Sequence, residues 1–98
     1  MAMNMSFQFQ GKTAVITGGA QGIGFQMVRQ FLDAGAQVAI WDYSADALKK
    51  AKSELSSFGN SVVTAQVDVT QRESISQATA ALPWALDILV NNAGITRD

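Results

Sequence analysis

Four short apolar runs, separated by segments of helical periodicity, constrain the fold of this 98-residue chain more than any other feature. The runs occupy residues 12–17, 37–42, 61–69 and 86–94. Short runs that are apolar almost throughout are typical of strands buried on both faces of a parallel sheet. Because parallel strands need a crossover, the pattern predicts β-α-β-α-β-α-β. Right-handed crossovers then favour an α/β fold, a Rossmann-type doubly wound parallel sheet with strand order 3-2-1-4.

Local signals predict where the three intervening helices begin and end. Gly35 would stop the first helix, and Ser44 is a good N-cap for the second. Gly59 would end the second helix after an apolar stripe that runs to residue 58. Thr70 and Glu73 make a T-x-x-E pattern, which predicts a capping box for the third.

Composition limits the function classes open to the chain. With no cysteine and no histidine, it can form neither a disulfide framework nor a thiolate or histidine metal site, so we expect no metal. A net charge of -1 argues against a nucleic-acid partner. No apolar run is long enough to span a membrane. Because the start of the chain does not resemble a secretory signal, we expect a cytoplasmic location.

The chain is expected to be one domain or part of one. Residues 1–10 form an N-terminal lead-in, and residues 11–98 form the folded unit. The sequence stops shortly after the predicted fourth strand. Without a further strand beside it, that strand would have an unpaired outer edge. The sequence therefore predicts the N-terminal, truncated part of a larger sheet.

The stretch TGGAQGIG, residues 17–24, places four glycines between the first strand and the first helix. Its spacing, T-G-x-x-x-G-x-G, differs from G-x-G-x-x-G because Met27 stands at the third position. Glycine permits close approach of the backbone, and a helix N-terminus offers N–H groups and a partial positive charge that suit a pyrophosphate. A glycine-rich connection without a ligand is the alternative.

Asp42 ends the second strand 18 residues after Gly24, close to the roughly 20 residues expected for an acid that binds the ribose of a dinucleotide. A carboxylate there would accept hydrogen bonds from ribose hydroxyls and repel a 2′-phosphate. Gln21, Tyr43 and Ser44 offer no positive charge for that phosphate. The sequence therefore favours NAD over NADP, and a solvated carboxylate at a strand end is the alternative for Asp42.

Polar residues also follow the third and fourth strands, as Asp68-Val69 and as NNAG at residues 91–94. Parallel strands place their C-terminal ends on one edge of the sheet, where ligands bind in open α/β folds. An Asn-Asn pair could also be ordinary turn chemistry. The convergence of polar strand ends favours a binding site.

These motifs together closely resemble the short-chain dehydrogenase/reductase family over residues 12–98, and NNAGITRD is most similar to 3-oxoacyl-acyl-carrier-protein reductases. The resemblance implies that the pyrophosphate is bound by Gly18, Gly22, Ile23 and Gly24, the adenosine ribose by Asp42, the adenine by Asp68 and Val69, and the ribose side of the pocket and central sheet by Asn91, Ala93 and Gly94. Gln21 and Tyr43 complete the candidate cofactor-binding set.

The resemblance further implies hydride transfer between NAD(P) and an alcohol or carbonyl substrate, 3-oxoacyl or sugar-like, in a dimer or tetramer. Family members are more than twice as long, and their catalytic Ser and Tyr-x-x-x-Lys lie downstream of NNAG. The only tyrosine here is Tyr43, and Ala47 stands where the lysine would be. No catalytic residue is therefore assigned in this chain, which by itself is expected to be inactive.

Three alternatives stay open. The chain could be a nucleotide-binding module without catalysis of its own, either a fragment or half of a split protein. It could belong to an S-adenosylmethionine-dependent methyltransferase, although Thr17 stands where those enzymes usually carry an acid. The full enzyme could also prefer NADP despite Asp42.

Overall fold

The computed structural model describes residues 9–92. Its strands are β1 (Thr13–Thr17), β2 (Gln37–Asp42), β3 (Val62–Gln66) and β4 (Ile88–Asn91). Its α-helices are α1 (Gly22–Asp33), α2 (Ala45–Glu54) and α3 (Arg72–Ala80). The strands pair in parallel in the order β3-β2-β1-β4. This confirms the predicted Rossmann-type topology.

The two faces of the sheet are covered by different helices. Ile16 and Ile40 lie on one face and pack with buried residues of α1 and α2. Val15 and Trp41, one position away in each strand, lie on the other face in a second core with Ala78 of α3. Because both faces of β1 and β2 are buried, these strands are apolar without the alternation seen in strands with one solvated face.

The helix ends agree in part with the local signals. Gly35 follows α1 with a φ of 95°, a left-handed conformation that glycine adopts without strain. The Ser44 hydroxyl accepts a hydrogen bond from the Ala47 N–H at 3.1 Å, which confirms the predicted N-cap of α2. The second helix ends at Glu54, and a 3-10 helix that contains a left-handed Gly59 (φ 58°) follows it.

The capping box predicted for α3 is wrong. The helix begins at Arg72, after a Gln71 N-cap that makes no side-chain cap hydrogen bond. The Thr70 hydroxyl donates instead to Asp68 Oδ1 at 2.6 Å, and the Thr70 N–H donates to the same oxygen at 3.0 Å. The helix therefore begins one residue too late for Thr70 to be its N-cap, and the Asp68–Thr70 turn takes the place of the capping box.

The register of the sheet makes the strand ends level at one edge. Thr17 lies beside Trp41 on one side and Asn91 on the other. At the opposite end of β1, the Asp87 carboxylate accepts hydrogen bonds from the Thr13 N–H at 3.0 Å and the Thr13 hydroxyl at 3.2 Å. This contact ties the start of β4 to β1 at the end of the sheet opposite residues 17–24.

The described part of the chain contains neither a membrane-spanning helix nor a cluster of metal-ligating side chains. No helix within residues 9–92 is both long and apolar enough to cross a membrane. Nor do the side chains of that range bring together three or more His, Cys, Asp or Glu residues that could hold a metal ion.

Candidate functional site

The glycine turn, residues 17–24, joins the end of β1 to the start of α1 and is bound to the end of β2. The Gly18 N–H donates to the carbonyl oxygen of Trp41 at 2.7 Å. Gly18 and Gly22 have φ values of 65° and 62°, in the left-handed region that side chains rarely adopt. The turn therefore needs glycine at both positions for its backbone shape alone.

Gly24 is needed for a different reason, which is the closeness of its neighbours. A Cβ atom built there would lie 2.0 Å from the carbonyl oxygen of Gly18 and 2.7 Å from Asn92 Nδ2. Gly19 is similarly enclosed, because its Cβ would lie 2.9 Å from the carbonyl oxygen of Ile16. The sequence did not indicate a role for Gly19, because its need for glycine arises from close packing and not from a position in the motif.

The N-terminus of α1 faces solvent with its first turn uncapped. Gln21, the N-cap residue, makes no side-chain cap hydrogen bond, and the first turn contains no acidic residue. Gln21, Gly22 and Ile23 are exposed. The first N–H groups of a helix have no partner inside it and carry the positive end of the helix dipole. The turn is therefore suited to an anionic ligand such as a phosphate.

Asp42 lies at the end of β2 beside the same turn and is only 8% exposed. Its Oδ2 accepts a hydrogen bond from the Ala20 N–H at 3.0 Å, and its Oδ1 accepts one from the Ser44 N–H at 3.1 Å. The sequence indicated that Asp42 lies at this edge, but not that its carboxylate binds the backbone of the glycine turn.

An open cleft of about 340 Å³ lies between the glycine turn and the ends of β2 and β3. It is lined by Gly18, Gln21, Trp41, Asp42, Tyr43, Val67, Asp68 and Val69. Tyr43 at its rim is 71% exposed. No lysine or arginine stands among these lining residues, so the cleft has an acidic and partly apolar surface.

Asp68 contributes the second carboxylate of this cleft. Hydrogen bonds from the hydroxyl and then the backbone N–H of Thr70 hold the pKa of the Asp68 carboxyl below its ordinary value. Both bonds fall on Oδ1. Asp68 is thus a preorganised anion and hydrogen-bond acceptor at the mouth of the cleft.

The two asparagines after β4 have different surroundings. Asn91 is exposed, and its Oδ1 accepts a hydrogen bond from the Thr17 hydroxyl at 3.1 Å. Asn92 is buried, 3% exposed, and its Nδ2 donates to the carbonyl oxygen of Gly18 at 3.1 Å. The second asparagine therefore supports the glycine turn from beneath, a role that the sequence did not indicate.

The structure brings most of the candidate residues to one edge of the sheet. Those that line the cleft are Gly18, Gln21, Asp42, Tyr43, Asp68 and Val69. Gly22, Ile23 and Gly24 lie beside it in the first turn of α1, and Asn91 ends β4. The candidates Ala93 and Gly94 lie outside the described residues.

Comparison with known proteins gives consistent matches. A family model described as short chain dehydrogenase matches residues 12–98. A 3-oxoacyl-(acyl-carrier-protein) reductase of Chlamydia trachomatis is 42% identical over 98 residues, covering 96% of this chain and 40% of that protein. The structure of 2-keto-3-deoxy-D-gluconate dehydrogenase from Streptococcus agalactiae matches with a TM-score of 0.79 at 33% identity, over 95% of this chain and 36% of that one. An RhlG/NADP active-site complex from Pseudomonas aeruginosa matches with a TM-score of 0.78 at 34% identity, over 92% and 37%.

These alignments cover nearly all of this chain but span only about two fifths of its relatives' length. The part of this chain that matches includes the parallel sheet, the glycine turn and the polar strand ends described above. The family model covers most of the chain, and the curated and solved relatives belong to the same kind of enzyme. This chain therefore belongs to the short chain dehydrogenase family.

Proposed function

We propose that the protein is an NAD-dependent oxidoreductase and that residues 11–98 supply the dinucleotide-binding part. The observation that carries the proposal is the position of the buried Asp42 carboxylate, which lies at the end of β2 against the glycine turn. An uncapped helix N-terminus and an acidic cleft therefore meet at one edge of the sheet. This is the edge at which open α/β sheets bind their ligands.

The pyrophosphate would be held by the first turn of α1 and the glycines before it. Three features support this placement: the exposed residues Gly22 and Ile23 at a helix N-terminus without a side-chain cap, the positive end of the helix dipole, and the left-handed Gly18. A Cβ atom at Gly18 or Gly22 would strain the backbone of this cradle.

The adenosine would occupy the cleft beside Asp42. Each carboxylate oxygen of Asp42 accepts one backbone hydrogen bond and keeps a lone pair for a ribose hydroxyl. The adenine would contact Asp68 and Val69, which line the cleft, and Tyr43 lies at its rim. A 2′-phosphate would meet carboxylates without a compensating lysine or arginine, so NAD is the proposed cofactor.

When bound, NAD would accept hydride from an alcohol carbon or, as NADH, give it to a carbonyl carbon. The residues of this chain would hold and orient the dinucleotide but would not move the substrate proton. The only tyrosine is Tyr43, and Ala47 stands four residues after it. The catalytic serine, tyrosine and lysine of the proposed reaction would come from chain beyond these 98 residues.

The substrate class follows only from the relatives. They include a 3-oxoacyl-(acyl-carrier-protein) reductase, a 2-keto-3-deoxy-D-gluconate dehydrogenase and an L-sorbose reductase. We accordingly propose a small alcohol or carbonyl substrate of the 3-oxoacyl or sugar type, and a homo-oligomer in the cytoplasm.

Equilibrium titration of the intact protein with NADH and NADPH tests the proposal, because the two differ only by the 2′-phosphate. Energy transfer from Trp41, which lines the cleft, reports binding. We expect NADH to bind at least about tenfold more tightly, equivalent to about 1.4 kcal/mol. Equal or tighter binding of NADPH would contradict the role given to Asp42. Failure of both to bind would contradict the function itself.

A further inference from the structure

Asp42 is the only charged side chain that is buried among residues 9–92. Its two carboxylate oxygens bind backbone N–H groups of two separate segments, Ala20 in the glycine turn and Ser44 at the start of α2. Burial of a carboxylate is unfavourable unless hydrogen bonds compensate it, and these two contacts provide that compensation.

The glycine turn also depends on Asp42, because few other hydrogen bonds attach the turn to the rest of the protein. Ala20 is buried, and its N–H has Asp42 Oδ2 as its acceptor. The neighbouring hydrogen bonds run from the Gly18 and Gly19 N–H groups to the Trp41 carbonyl, at 2.7 and 3.4 Å, and from Asn92 Nδ2 to the Gly18 carbonyl. These bonds hold the start of the turn, and Asp42 is the side chain that binds it at Ala20.

We propose that Asp42 is a positioning residue that preforms the glycine turn before any dinucleotide binds. The proposal rests on the proposed function only in taking a dinucleotide as the ligand of the turn. Its consequence is that cofactor preference and turn geometry are coupled through one carboxylate. A substitution that removes the charge from residue 42 would therefore loosen the pyrophosphate cradle, and this loss would offset the weaker repulsion of a 2′-phosphate.

Amide hydrogen exchange of the ligand-free intact protein tests the positioning role directly. In Asp42→Ala, we expect the amides of Gly19 and Ala20 to exchange at least about tenfold faster, since the Ala20 N–H loses a charged acceptor. Asp42→Asn should give an intermediate increase, because an amide presents one oxygen to two N–H groups. This milder variant also covers the case in which Asp42→Ala does not fold.

Two matched carboxylate variants serve as controls. Asp68→Ala removes the other acid of the cleft, whose carboxylate accepts its hydrogen bonds from Thr70 and not from the turn. Asp87→Ala removes a carboxylate that binds backbone at the opposite end of β1. Exchange in the glycine turn should stay unchanged in both. Unchanged exchange in a folded Asp42→Ala protein, or an equal increase in Asp87→Ala, would overturn the proposal.

Binding of both dinucleotides separates positioning from simple charge discrimination. If Asp42 acts only on the ribose, by binding its hydroxyls and repelling a 2′-phosphate, its removal should weaken binding of NADH but raise the affinity for NADPH. If it also holds the turn, Asp42→Ala should lose about tenfold or more in affinity for NADH without gaining affinity for NADPH, and Asp87→Ala should change neither. A gain of about tenfold for NADPH would refute the coupling. If the parent binds neither dinucleotide, the proposed function fails, and the exchange result decides the positioning role alone.

Discussion

Replacement of Gly24 by alanine should destabilise the protein, although alanine is the better helix former. Gly24 lies in the first turn of α1 and has no positive φ. Helix propensity alone would therefore favour Gly24→Ala by about 1 kcal/mol. The structure predicts the opposite sign because the added Cβ would lie 2.0 Å from the carbonyl oxygen of Gly18.

The size of the effect follows from that distance. The contact must open from 2.0 Å to at least 3.0 Å, and the atoms opposite are backbone atoms of Gly18, which cannot move aside as a flexible side chain can. Overpacking costs about 1–3 kcal/mol, and a contact this short against backbone atoms falls at the upper end of that range. After the gain of about 1 kcal/mol in helix propensity is subtracted, we expect a net loss of about 2 kcal/mol in the free energy of unfolding, with weaker binding of NADH.

Urea unfolding followed by tryptophan fluorescence measures this loss, since Trp41 is buried. Gly22→Ala is the matched control: its Cβ would meet no atom within 4 Å, so only the strain of φ 62° remains. That strain costs about 1–2 kcal/mol. If Gly24→Ala proves as stable as the parent or more so, the close approach of α1 to the glycine turn is refuted.

Three further substitutions test single contacts. Asn92→Ala leaves the Gly18 carbonyl without its side-chain donor, so urea unfolding should show a loss of about 1–3 kcal/mol; an unchanged midpoint would contradict this. Thr70→Val should raise the pKa of the Asp68 carboxyl towards its ordinary value, as followed by carboxyl NMR titration. A carboxyl whose pKa is lowered in the folded state stabilises the protein at pH values above its unfolded pKa. The stability difference between parent and variant should therefore shrink as the pH falls through the pKa of Asp68 in the folded protein. Ser44→Ala removes the side-chain cap of α2 and should cost about 1 kcal/mol by the same unfolding assay; no loss would argue against the cap.

The topology could be predicted because it depends on information local to each element. The runs that became β1 and β2 are continuous and apolar, and the predicted and observed bounds of β2 agree at Gln37–Asp42. Crossover handedness then left few possible strand orders. The predicted third strand, 61–69, was too long, because the chain leaves the ladder at Gln66 and turns through the Asp68–Thr70 hydrogen bonds.

The internal supports of the candidate site could not be predicted, because they join residues that are distant in sequence. Asn92 and Gly18 are 74 positions apart, and the contact between Asp42 and Ala20 spans 22. A motif places a residue at the sheet edge but does not show which lone pairs are already used there. Gly24 could be assigned to the turn, but its closeness to Gly18 depends on how the turn between them is folded, which the spacing of the glycines does not reveal.

The central claim is that a dinucleotide binds at the glycine turn and the acidic cleft, and amide NMR of the intact protein during an NADH titration tests it most directly. The account predicts saturable shifts at Gly18, in the first turn of α1, and at Asp42 and Asp68, with the far end of α2 unaffected. Saturable shifts confined to another surface, or none at all, would contradict it.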